Sequence, residues 1–163
     1  MGAGTSLRLL PGRYGSLVVG DGATLVLAGG RYDLTSLSIG AAAFVYVESA
    51  AEVRVAGAVS IGPKSWVRPI DGVDGVGDGG LVISVGGVPG VVRASGAASP
   101  AVAGPSVEIG AGAIVHAYLA APTSAVRLGE GSVLVGAVIG RSVDVGDWVR
   151  LNPTSYLSLP IVE

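Results

Sequence analysis

The chain has 163 residues, of which 50% are hydrophobic, 5% aromatic and 13% charged, with a formal net charge of −2 and no cysteine. That length suits a single domain with a continuous core, and with charge well under the roughly 25% of ordinary globular domains the interior must be built from small and branched aliphatic side chains. A weak net charge with singly scattered basic residues leaves no electrostatic footprint for nucleic acid or anionic lipid, the lack of cysteine excludes disulfides and Cys-ligated metal, and apolar runs broken by Gly or a charge exclude a membrane-spanning helix.

Short strands follow one another from the N-terminus. Leu7 to Leu10, Ser16 to Val19, Thr24 to Leu27, Leu37 to Ile39, Phe44 to Val47, Glu52 to Val55 and Val59 to Ile61 each hold two or three β-type residues bounded by Gly, Ala, Asp or Pro. Strands this short need a larger sheet. No window carries an i, i+3, i+4, i+7 apolar stripe, so no long helix is expected.

These strands recur as a phrase. Leu7, Leu9, Arg13, Tyr14, Leu17 and Val19 are answered by Leu25, Leu27, Arg31, Tyr32, Leu37 and Ile39. Later phrases begin at Val107, Val126 and Val143. A fixed period of this size marks coils that cannot bury their apolar faces alone and must stack. The fold class is therefore all-β: a single-domain parallel β-helix (β-solenoid) over 1–163, right-handed, with a period of roughly 17–20 residues per coil. At a strand spacing of about 4.8 Å, some seven to eight coils would make a rod roughly 35 Å long.

Alternation inside the strands directs leucines and valines inward, with Leu25, Leu37, Val126 and Val143 sharing one interior, and leaves Arg54, Glu108, Arg127 and Asp144 on solvated faces. Gly20, Gly22, Gly40, Gly110, Gly112, Gly129, Gly131 and Gly146 mark corners, where a residue without Cβ takes positive φ. Between about Gly62 and Ser106 the period weakens: residues 69–80 read as a loop, Leu81 to Val85 and Gly90 to Arg93 as strands, and Ala94 to Pro105 as an irregular connection. This region is read as coils with one or two excursions, not as a second domain.

Candidate chemistry is thin. Asp71, Asp74 and Asp78 offer hard oxygen ligands in a Gly-rich loop, but at spacings that fit no helix-loop-helix calcium site; a solvated loop is the preferred reading, and no metal or cofactor is assigned. His116, the sole histidine, is the one candidate general base. Glu48 and Glu52 form a candidate carboxylate pair without sign of a cleft. Thr24, Thr35, Thr123 and Thr154 share no period, which sets aside an ice-ordering face. No catalytic residue is assigned, and the chain is read as not an enzyme.

Both ends carry a resemblance. The segment LLPGRYGSLVVGDGATLVLAGGRYDLTSLSIG resembles an uncharacterised bacterial β-solenoid domain whose members pair two Pro-Gly-x-Tyr coils with a Leu-x-Ile strand. The C-terminal part is similar to the closing segment of the same domain, through Ala121-Pro122 with Val126, Gly136 to Ile139, and Tyr156. The resemblance implies an exported, non-catalytic domain of type IV pilus-associated or other cell-surface proteins. A more distant likeness to the polymer-forming bactofilins implies a cytoplasmic filament. The expected function is a structural or assembly module that self-associates end to end into oligomers or filaments, with itself and other surface proteins as partners and an extracellular or cell-surface location. MGAGTSLRLL has no signal-peptide pattern, so a leader would lie outside this sequence. The C-terminal Leu157 to Val162 is expected to cover the last coil or reach into a neighbour. The alternative is a hexapeptide-repeat acyltransferase using His116, to which the phrase from Val107 to His116 is similar.

Overall fold

In a computed structural model the described residues are 1–70, 80–86 and 107–153. The expectations for Asp71, Asp74 and Asp78, for Gly90 to Arg93, for Ala94 to Pro105, and for Tyr156 and Leu157 to Val162 lie outside them.

Among the described residues fifteen strands run parallel in three columns that share one interior. The first column stacks β1 (Ser6–Leu9), β4 (Thr24–Leu27), β7 (Phe44–Val47), β10 (Trp66–Pro69), the start of β13 (Ile114–Leu128), the start of β14 (Val133–Val145) and β15 (Arg150–Asn152). The second stacks β2 (Gly12–Arg13), β5 (Gly30–Leu34), β8 (Ala51–Val55), β11 (Leu81–Val85) and the middle of β13 and β14. The third stacks β3 (Ser16–Val19), β6 (Ser36–Ile39), β9 (Val59–Ile61), β12 (Val107–Ile109) and the ends of β13 and β14. The chain is thus an all-β parallel β-solenoid of about six turns, with no helix among the described residues.

Period-2 patterning builds the core. In β4, β6, β7 and β8 alternate side chains are buried, so each rung sends Leu, Val or Ile inward from three sides. Leu25, Leu37 and Val126 lie in this shared interior as expected. Val143 continues Val126's column but is 39% exposed, because among the described residues no further strand of the third column lies beyond it. The one fully buried aromatic among the described residues is Tyr32; its hydroxyl donates to the Leu9 carbonyl at 2.9 Å and accepts from the Ala28 N–H at 3.0 Å. Tyr14 stacks beside it at 6.5 Å and donates to the Leu10 carbonyl. The tyrosines of the repeated phrase therefore fasten the corner they follow.

Corner glycines serve two purposes where the sequence suggests one. Gly22, Gly112 and Gly131 do adopt positive φ, in a corner column where Ala42, Lys64 and Trp148 adopt it too. Gly20, Gly40, Gly110, Gly129 and Gly146 do not. At Gly62 and Gly110 an added Cβ would meet the backbone of the preceding rung at 2.5 Å. These glycines let adjacent rungs close, and N–H groups of Gly40, Gly62, Gly110, Gly129 and Gly146 donate to Val19, Ile39, Ile61, Ile109 and Leu128 at 2.7–2.8 Å.

The coil length varies more than the sequence period suggests. Successive register partners down the first column are Ser6, Thr24, Phe44, Trp66, Ile114, Val133 and Arg150, so the coil from Trp66 to Ile114 is more than twice as long as any other. With one register interval that long, the stack is about six turns instead of seven to eight. At about 4.8 Å per rung it is some 30 Å long. In that coil β11 still pairs in register with β8 and β13, so the ladder closes again on either side of it.

Candidate functional site

The three outward faces differ in chemistry. On the second, Arg31 and Asp33 of β5 and Glu52 and Arg54 of β8 alternate in sign, with Arg31–Asp33 at 3.1 Å and Arg54–Glu52 at 2.7 Å. On the third, outward positions are Ser38, Ser60, Glu108, Arg127 and Asp144, with Arg127 and Asp144 3.5 Å apart. The first face carries Phe44 and Tyr46 from β7 beside Trp66 and Arg68 from β10, in direct register.

These four side chains form a tile two rungs high. Phe44 and Tyr46 lie 6.2 Å apart with planes at 11°, and Phe44 and Trp66 are also 6.2 Å apart. The Arg68 guanidinium sits 5.6 Å from the Tyr46 ring and 5.3 Å from the Trp66 ring, close enough for attraction to both π faces. Its Nε is buried with no hydrogen-bond partner, and no ion pair to Arg68 occurs among the described residues. Thr24 and Val26 extend the face toward the N-terminus; Ile114, His116, Val133 and Val135 extend it toward the C-terminus.

His116 projects from β13 onto this face, half-buried, with no hydrogen bond to its ring among the described residues. Burial first and the Arg68 charge second hold its pKa below the ordinary 6.5. Among the described residues no carboxylate orients its ring. Glu48 and Glu52 are not a pair: Glu48 binds Arg8 at 2.6 Å while Glu52 binds Arg54. The hydrogen bond from Arg8, strengthened by its charge, holds the Glu48 carboxyl below the ordinary carboxylate range. Arg54, Glu108, Arg127 and Asp144 do face outward as expected. No group of three metal-ligating side chains occurs among the described residues. The interior void between the three columns is about 20 Å³ and lined by aliphatic residues and Tyr32, too small and too apolar for a ligand.

The sequence pattern does not reveal the aromatic tile. A signal is present: the single Phe and one of only two Trp occur as Phe44-Val45-Tyr46 and Trp66-Val67-Arg68. The advance from Phe44 to its partner Trp66 is longer than the period of the phrase, so periodicity does not yield β10 as a strand.

The chain matches no protein-family model, no curated protein and no solved structure. What is shown is the class, a parallel β-solenoid of about six turns.

Proposed function

We propose that this chain is a non-catalytic structural module that self-associates by stacking its coils end to end. One observation carries the reading: most of the exposed large apolar side chains among the described residues lie at the two ends. Leu7, Leu10, Tyr14 and Val18 belong to the first coil, and Ile139, Val143, Val145, Trp148 and Leu151 to the last, while the described residues of the second, third and fifth coils contribute none and the fourth contributes Trp66 and Ile70. Strands β1, β2 and β3 pair on one side only, and an unpaired parallel edge beside apolar side chains is a template for another copy. That no carboxylate among the described residues meets the His116 ring supports the non-catalytic reading over an acyltransferase. The finer assignment, to a bacterial cell-surface or pilus-associated structure, rests on the resemblance of the two ends alone.

The test is light scattering and negative-stain electron microscopy across a concentration series. Stacking predicts rods lengthened in whole-molecule steps, abolished by Val145→Lys with Leu151→Lys. A monomer at high concentration without filaments overturns the proposal. So does assembly that begins only after residues 154–163 are deleted, because the chain's own tail is then the native cover.

A further inference from the structure

We propose that the first face is a docking surface for an anionic lipid bilayer. The whole-chain charge of −2 argues against such a partner, but it averages over faces of opposite character. Among the described residues, the first-column strands direct no carboxylate outward; the charged side chains they place there are Arg8, Arg68 and Arg150. Glu48, which reaches this face from its rim, is held by Arg8 through contacts of 2.6, 2.9 and 3.2 Å. Arg68 and Arg150 have no ion-pair partner among the described residues, whereas Arg13, Arg31, Arg54 and Arg127 on the other two faces are each paired and Arg141, farther along β14, is not.

Three features then point to one occupant. The face is a parallel ladder in register from Thr24 through Phe44 and Trp66 to Ile114 and Val133, so its outward side chains form continuous rows along the stack. Its middle is aromatic and aliphatic, with Trp66 at 37% and the adjoining Ile70 at 47% exposed. Trp and Tyr favour the depth of lipid headgroups, where an amphipathic ring has one wet and one apolar side. The Arg68 guanidinium lies across two rings with donors left over for a phosphate oxygen, and a basic residue near an anionic membrane adds attraction that salt weakens. An acidic polysaccharide also suits cations beside rings, but Val26, Phe44, Ile114, Val133 and Val135 on the same face offer it no hydrogen bond, whereas an acyl-chain boundary takes them up. This surface lies along the stack and not at its ends, so the inference does not rest on the proposed self-association.

The experiment is flotation of the full chain with phosphatidylcholine vesicles, with and without phosphatidylglycerol. Expected are binding to the anionic vesicles and loss of that binding at high salt. The Trp148→Phe variant leaves Trp66 as the only tryptophan, and its emission should shift to the blue on vesicle binding. Trp66→Ser should give the larger loss of partitioning and Arg68→Gln about a fivefold loss, with circular dichroism unchanged. No flotation, equal flotation with neutral vesicles, or a Trp66 emission that stays fixed while the protein floats overturns the proposal. Retention by soluble alginate without flotation also overturns it and assigns the face to an acidic polysaccharide.

Discussion

The first and second faces of the middle rungs share one backbone ladder and opposite surface chemistry. Around the third coil, β7 turns Phe44 and Tyr46 outward while β8, a few positions later, turns out Glu52 and Arg54. On the charged face Arg13, Arg31 and Arg54 each meet a carboxylate of their own or a neighbouring rung. Such exposed pairs stabilise little, but they complete that surface with the chain's own groups. On the aromatic face the charge of Arg68 is met by two rings and by no described carboxylate. The contrast shows that in a solenoid the inward residues decide the fold, while the outward ones are free to differ from face to face.

The largest test of that separation is Gly62→Val, placed in the corner column that joins the third column to the first beneath the shared interior. Its Cβ would enter the Gly40 backbone at 2.5 Å, where no flexible side chain can give way. We expect destabilisation of about 3 kcal/mol or more by urea unfolding, with both faces lost together. A mild effect would break the idea that one rigid ladder underlies them.

Next comes a comparison of aromatic residues inside and outside the tube. Tyr32→Phe removes one hydrogen bond each from the Leu9 carbonyl and the Ala28 N–H, which still bond each other at 3.1 Å, and should cost about 0.5–1.5 kcal/mol. Trp66→Ser on the outer face removes only packing with Phe44 and Arg68 and should cost about 1 kcal/mol or less. If the order reverses, the outer tile is a stability element and its role as a docking surface is weakened.

The fold is more legible in the sequence than the surface, for a physical reason. Burial imposes period 2 on every inward residue, so Ser16–Val19, Thr24–Leu27, Phe44–Val47, Val59–Ile61 and Leu81–Val85 can be read residue for residue. Strands β2, β5 and β10 escape that signal. The first is too short to alternate, the second begins at a glycine, and β10 opens the long coil that breaks the period. The outward tile leaves no periodic trace, because it arises only when rungs of unequal length are brought into register. The glycines of the close-approach column look the same in sequence as those with positive φ, and only the distance to the preceding rung separates them.

The smallest expected effect separates the two faces by pH. His116 on the aromatic face has a folded pKa below its ordinary 6.5, from burial and then Arg68. The unfolded chain therefore takes up this proton more readily, so stability falls as pH drops below 6.5 and levels off once the folded pKa is passed. On the charged face Asp33 is held below its ordinary 3.8, first by the hydrogen bond from Arg31 and also by the charges of Arg31, Arg13 and Arg54. Its contribution is complete above 3.8 and is lost only as pH falls through its lower folded value. Urea midpoints between about pH 8 and pH 3 should therefore decline in two steps. His116→Gln should remove the step nearer neutrality, and Asp33→Asn should reduce the acidic one, leaving the part carried by Glu48, which Arg8 holds below its ordinary 4.5. A near-neutral step that persists without His116 would overturn the assignment of that step to His116.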